Sequence, residues 1–320
     1  MRSANNPLIT PASGAIGTNI NGPSVIAVPD WVKQPLGKYY MYFAHHGGDF
    51  IRLAYADHPA GPWTVHGDEV LPLAAVKTAG YTGHLASPDV HVDHRAKRIV
   101  MFFHAPHKWP SAEAKGRLRT NFKQLTGVAS SADGLDFAAG GSVPLAFSYL
   151  RVFVWRGQLF GLTARGLVFR WDGAAWPDGT ATMIERAEPV ASWRHCAVHI
   201  DGDRLYVFYS RWGDKPERIV VSYADLKRDW NQWQLSPPVA VLRPEGPLEG
   251  ADLPVKPSAK GAAKKRLHEL RDPAYFEAEG RAWLYYSIAG ESGISVAHLA
   301  ADWKEQVVAA VKAKQVDLPD

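Results

Sequence analysis

The chain has 320 residues, 46% hydrophobic and 21% charged, with a formal net charge of +4 at neutral pH. That balance is ordinary for a folded domain with a large core, and no apolar stretch approaches the length of a membrane span. The one basic cluster, "KGAAKKR" (residues 260–266), has no interleaved aromatics and reads as a solvated loop, which argues against a nucleic-acid partner.

Cys196 is the only cysteine, so no intrachain disulfide forms and nothing demands an oxidising compartment. The N-terminal "MRSANNPLITPASGAIG" lacks an apolar signal core. As written the chain reads as cytoplasmic, and a secreted or periplasmic protein stripped of its signal peptide would read the same way. "GAIGTNINGP" (residues 14–23) lacks the strand-to-helix setting of a nucleotide loop.

In chain order, the first structural phrase is "NGPSVIAVPDWVKQPLGKYYMYFAHHGGDFIRLAYAD" (residues 21–57). It has a polar start, an apolar strand, a Gly-Lys turn, a strand of Tyr and Phe, a polar loop and a third strand. The phrase returns in residues 87–109, with its third strand delayed to "KQLTGVASSADG" (residues 123–134). Further copies occupy residues 149–173, 194–226 and 271–299. Each alternates apolar and branched residues at strand period, between turns carrying Gly, Asp or basic residues. Residues 302–314, "DWKEQVVAAVKAK", read as a short helix or a closing strand.

Five copies starting near residues 21, 87, 149, 194 and 271 predict an all-β chain, a single five-bladed β-propeller domain over residues 1–320 with antiparallel blades. A two-sheet sandwich is the alternative, but it would not repeat one three-strand phrase five times.

In a propeller the first strand of each blade lines the central channel, so the polar starts converge. Asn21, Asp89, Arg151, His195 and Asp272 are predicted to ring a funnel, joined from the second-strand exits by His45, His46, His104, His107, Arg165, Arg211 and Glu291. So many ionisable groups at equivalent strand mouths need partners, water or a ligand. Arg194 and Arg271 stand beside the starts of blades four and five, and Glu269 just before the latter. The insertion "PEGPLEGADLP" (residues 244–254) holds Glu245, Glu249 and Asp252 as a pocket wall or a solvated acidic turn. "HVDH" (residues 91–94) sends its two histidines to opposite faces of a strand, and no zinc signature is present, so no metal site is predicted. "WDGAAW" (residues 171–176) reads as a turn and blade-packing signal.

"RDPAYF" (residues 271–276), "ASPDVHV" (residues 86–92), "GKYYMYFA" (residues 37–44) and "DRLYVFYS" (residues 203–210) make the chain similar to the five-bladed propeller glycosidases, the group of glycoside hydrolase families 43, 62, 32, 68 and 117. The resemblance covers roughly residues 20–300. It implies an O-glycosyl hydrolase of carbohydrate metabolism and polysaccharide degradation, with no required cofactor; some relatives hold a calcium ion in the central channel. Such enzymes usually place an Asp at the blade-one mouth and a Glu acid at blade three, where this chain has Asn21-Gly22-Pro23 and Tyr149 with Arg151.

Blades five and two are also two apart, so Asp272 and Asp89 are expected to face each other as the catalytic pair. Arg271 would keep Asp272 ionised as base, and Asp89 with a raised pKa would be the acid. Glu249, Glu269 or Glu291 are substitutes, and His195 is another donor because family 117 uses a His. The relatives imply inversion, which needs a wider carboxyl gap than retention does. Asn21, His45, His46, His104, Arg151, Arg194, Arg211 and Arg271 are the expected substrate-binding set, for an exo-acting enzyme on a furanose-type or anionic sugar. The alternatives are a glycoside phosphorylase similar to family 130 and a non-catalytic carbohydrate-binding propeller.

Overall fold

A computed structural model describes residues 1–108, 124–140, 146–163, 166–171, 182–183, 185–186 and 192–317. Five separate sheets follow one another along the chain. Their first three strands are Asn21–Ala27, Tyr39–Ala44 and Phe50–Ala56 in blade one, and Ala86–Asp93, Arg98–Pro106 and Gln124–Ser131 in blade two. Blade three has Arg151–Trp155, Gln158–Leu162 and Leu167–Arg170; blade four Trp193–Asp201, Arg204–Arg211 and Ile219–Asp225; blade five Arg271–Ala278, Arg281–Ser287 and Ile294–His298. Within each blade these strands pair antiparallel. The molecule is an all-β, five-bladed propeller.

Each blade buries both faces, one against each neighbour, so strand alternation here is apolar on both sides. Tyr40, Tyr42, Ile51 and Leu53 of blade one pack with Val90, Met101 and Phe103 of blade two. Met41, Phe43 and Ala54 turn the other way, to Ala274, Trp283 and Tyr285 of blade five. The N-terminus closes the ring by lying beside the third strand of blade five, with Arg2 bridging Ala297 and Ile9 bridging Ile294 antiparallel. Residues 302–314 resolve their ambiguity as helix, Trp303–Lys312, with Trp303 packed edge-on against Tyr206 at 4.9 Å between centroids. Among the described residues no helix is long and apolar enough to cross a membrane.

The mouths of the inner strands are irregular in the same way. Register slips between Asn21 and Ser24, Ala86 and Asp89, Trp193 and Cys196, and Arg271 and Ala274. Each slip is a bulge, in which extra residues re-aim a side chain at the sheet end. Gly22, Ser87 and Asp272, the first bulged residues of blades one, two and five, share left-handed backbone at φ 61°, 51° and 49°. Gly22 fits because glycine adopts this left-handed conformation without the cost a Cβ brings.

The C-terminal segment is pinned by charge. Asp317 accepts Arg211 Nη2 at 2.8 Å, Arg218 Nε at 2.7 Å and Arg243 Nη2 at 2.6 Å, and Asp214 completes the cluster 3.0 Å from Arg211. Arg211 and Arg218 are buried. Removing one partner of such a cluster strands the others away from water. Asp317→Ala should therefore lower unfolding free energy by about 3 kcal/mol, read from the urea midpoint; an unchanged midpoint would refute this anchor.

Candidate functional site

The bulge sets the phase of the site. Arg271 and Ala86 are the last paired residues before their slips, so Asp272 corresponds to Ser87, while Asp89 corresponds to Ala274, two residues further down the channel. The structure therefore does not bring Asp89 and Asp272 face to face. Asp89 lines a cavity of about 170 Å³ inside the channel, with Ser24, Arg151, Ala197 and Ala274 from the other four blades. Its Oδ2 lies 2.8 Å from His91 Nε2 and accepts the Val152 N–H at 2.8 Å. Burial pushes its carboxyl up, but His91, Arg151 and that N–H outweigh it and hold it below the usual range. An acid needs the opposite displacement, so Asp89 does not fit the donor role.

At the mouth the pattern is different. Asp272 Oδ1 lies 3.0 Å from His195 Nδ1, and Oδ2 accepts the Ser287 hydroxyl at 3.2 Å. Burial alone would raise Asp272; the His195 contact and the nearby Arg271 and Arg194 charges hold it well below the carboxylate range. Burial, with Arg151 and His46 close by, keeps His195 below the usual imidazole value despite Asp272. His195 is thus a neutral ring that donates to Asp272, not a proton donor to substrate. Tyr149 lies over it at 4.0 Å between centroids and meets His104 at 4.2 Å.

Ser87, His195 and Asp272 follow one another as hydroxyl, imidazole and carboxylate. Ser87 Oγ, however, is 3.3 Å from Nδ1 and 3.2 Å from Nε2. Equal distances place it off both in-plane nitrogen directions, so the ring is not set to take the serine's proton. The trio orders Asp272.

Glu291 is the second carboxylate of the cluster; burial and the Asp272 charge push it up, but His46 and Arg271 outweigh them and hold it below its usual value. Its Oε1 accepts Arg271 Nη1 at 2.9 Å; its Oε2 accepts Asn19 Nδ2 at 2.6 Å and Asn21 Nδ2 at 3.2 Å and lies 3.3 Å from His46 Nδ1. The bond to Glu291, outweighing burial, raises His46 above the usual imidazole value. His46 also lines a cavity of about 850 Å³, together with Thr18, Asn19, His45, Lys264, Lys265 and Arg266. His104 is buried with Nδ1 unpartnered, and burial among His195, His84 and His46 lowers it well below its usual value.

The remaining candidates have structural work. Arg271 is held by Glu269, Glu291 and the Gly261 carbonyl, with Glu217 3.6 Å away. Burial raises Glu269, but its carboxylate is turned to Arg271. Arg194 binds Glu217 at 2.6 Å and the carbonyls of Ala259 and Gly261. Arg151 gives its donors to the carbonyls of Cys196, Ser87 and Leu150, and Arg211 belongs to the Asp317 cluster. Glu249 accepts Arg2, Tyr286 and the Glu245 N–H, tying the N-terminus to blade five. His107 is 2.9 Å from the Ala79 carbonyl oxygen. Arg165 and residues 172–176 of "WDGAAW" lie outside the described residues. Asn19, which holds both Glu291 and the His46 backbone N–H at 2.7 Å, was missed. Its signal was "NIN", two amides on one face of a strand two residues apart.

The resemblance implies a calcium ion in the channel. Calcium takes about six to eight oxygen ligands. Among the described residues no three His, Cys, Asp or Glu converge as a metal site, and Asp89 is already engaged beside the Arg151 charge.

The fold and the funnel define a five-bladed propeller of the architecture seen in glycoside hydrolase family 43. The β-xylosidase/α-arabinofuranosidase CoXyl43 from a compost metagenome, solved with xylotriose, superposes at TM-score 0.62 with 14% identity over 94% of this chain and 95% of that one. The Xanthomonas citri GH43_1 enzyme gives 0.60 at 14% identity over 89% of each chain, and the Lactobacillus brevis α-L-arabinofuranosidase 0.56 at 14% over 92% of each. These similarities are of fold. No protein-family profile matches the chain. It is 33% identical over 314 residues to "Uncharacterized protein R118" of Acanthamoeba polyphaga mimivirus, covering 90% of this chain and 85% of that one, and it belongs to the same family as that protein.

Proposed function

We propose that the protein is a glycoside hydrolase acting from a chain end, with Asp272 as the base and His46 as the proton donor. One observation carries this: two titrating groups that both act on Glu291, His46 by contact and Asp272 through its charge, are displaced in opposite directions, Asp272 below the carboxylate range and His46 above the usual imidazole value. Glycoside cleavage needs such a division, one group to protonate the leaving oxygen and one to activate water. The shared architecture with xylosidases and arabinofuranosidases supports a glycan substrate. A cavity lined by His45, His46, Leu248 and Lys264 suits a chain end better than a through-running polymer. The resemblance supports inversion, with water taken by Asp272 on the face opposite His46.

The test is turnover of a panel of nitrophenyl glycosides and plant or algal oligosaccharides, with the product anomer read by NMR. For the active substrate, rate should fall on the basic side as His46 loses its proton above its usual 6.5. The acidic fall, as Asp272 protonates, should lie below the ordinary 3.8. His46→Gln should abolish the basic limb and lower kcat roughly 10²-fold or more. A basic limb unchanged in that variant would exclude His46 as donor. The cationic rim also suits inorganic phosphate, so phosphorolysis is the second reading; turnover that requires added phosphate would select it.

A further inference from the structure

The cavity above His46 has one sign of charge. His45, His46, Lys264, Lys265 and Arg266 line it, and no Asp or Glu is among its described lining residues. Glu291, behind His46, is already shared between Arg271, Asn19 and Asn21. Lys264, Lys265 and Arg266 belong to the loop that the sequence alone presents as merely solvated, and the fold brings it to the same cavity as the two histidines.

A second cation, not itself among the residues lining the cavity, acts on His45 from blade one. Arg52 is 5% exposed, and its Nε and Nη1 have no hydrogen-bond partner. Its guanidinium rests over the Phe50 ring at 4.9 Å, and its charge, after burial, helps hold His45 below the usual imidazole value. A guanidinium taken out of water with donors unmade carries a desolvation cost that an incoming anion relieves. Arg151, Arg194 and Arg271, by contrast, are engaged by carbonyls and carboxylates.

We propose that this cavity binds an acidic group carried by the saccharide, a uronate carboxylate or a sulfate ester. Lys264, Lys265 and Arg266 meet it from the blade-five insertion, and His45 with His46 from blade one. Ammonium and guanidinium groups recognise both anions by charge-assisted hydrogen bonds. Arg266 already donates to the Pro247 carbonyl and lies 4.0 Å from Asp252, so the charges a neutral glycan would leave unmet are chiefly those of Lys264 and Lys265. The inference rests on the glycan reading of the funnel.

The test is calorimetric binding by the full chain of oligogalacturonate, a sulfated oligosaccharide and a neutral xylo-oligosaccharide of equal length, at low and high salt. At least one acidic ligand should bind at least about tenfold tighter than the neutral one, and raising salt should erode the difference. Lys264→Glu with Lys265→Glu, both exposed, should abolish the preference without altering thermal unfolding. Whichever acidic ligand is preferred identifies the anion as carboxylate or sulfate. Equal or better binding of the neutral sugar, or a preference indifferent to the double charge reversal, would overturn the proposal while leaving the hydrolase reading standing. Failure of every saccharide to bind would remove both. A strict need for inorganic phosphate in turnover would make the anion a co-substrate and also overturn it.

Discussion

Asp272→Asn should lower kcat/KM on the active glycoside by roughly 10³-fold and also lower the urea midpoint of unfolding, because the lost charge is held by buried partners. The substitution is close to isosteric, and Asn accepts the left-handed conformation at φ 49° as readily as Asp does. It keeps an acceptor for the Ser287 hydroxyl but loses the charge that His195, Arg271 and Arg194 hold in place and the second acceptor that faces His195. Activity is therefore compared on variant protein shown to be folded well below its urea midpoint, so that a loss reports chemistry. Asp89→Asn is the matched control, also in the channel but two residues deeper and tied to His91 and Val152. It should change kcat/KM less than tenfold while lowering stability, because it weakens a buried charge-assisted pair. If both variants lost activity equally, the two carboxylates would act together and the assignment built on the bulge would fail. If Asp272→Asn kept full activity, Asp272 would be a structural residue and the proposed base would be wrong.

The contrast between these two aspartates marks how far the sequence can be read. The propeller was legible because strand period, Gly-rich turns and a recurrent phrase are written locally, and five copies leave few other ways to bury both faces of each sheet. The helix at residues 302–314 was left open because Val307 and Trp303 suit either a strand or a helix until the groove beside Tyr206 and Phe208 is known. The convergence of Asn21, His46, His195, Asp272 and Glu291 was legible for the same reason as the fold, since equivalent strand mouths must meet.

What could not be read was phase. "SPD" and "RDP" look like one motif, yet the bulge aligns Asp272 with Ser87, and bulges depend on backbone geometry that leaves little mark in single residues. Nor could the sequence say which arginines were already spent. Arg151, Arg194 and Arg211 have the residue type of ligand groups, but carbonyls, Glu217 and Asp317 engage them through contacts between distant segments. Arg52, placed in the middle of an apolar strand, was the better signal, because a charge at a core position must find a partner or a use.

Arg271 makes the structural counterpart of that argument and should be the most damaging position to alter. It is 1% exposed and lies among Glu217, Glu269 and Glu291, with Asp272 next in sequence, so one guanidinium neutralises the acidic side of the funnel. Its surroundings hold its own proton more tightly than usual, the acids together outweighing burial. Arg271→Met fills much of the same space but leaves those carboxylates buried without their cation, and should lower unfolding free energy by about 3–5 kcal/mol at neutral pH. Arg271→Lys should recover only part, because a single ammonium cannot span Glu269, Glu291 and the Gly261 carbonyl as the planar fork does. The pH dependence has a definite sign. Without Arg271 the folded-state pKa of Glu269, already raised by burial, rises further and that of Glu291 rises from below its usual value, so these groups favour folding below the unfolded glutamate pKa, and that contribution is lost as pH rises through the folded values. The gap between Arg271→Met and wild type should thus be widest near neutrality and narrow on acidification, as read by thermal unfolding across pH. A variant as stable as wild type at neutral pH, or a gap that widens in acid, would show that the acidic wall does not depend on this cation.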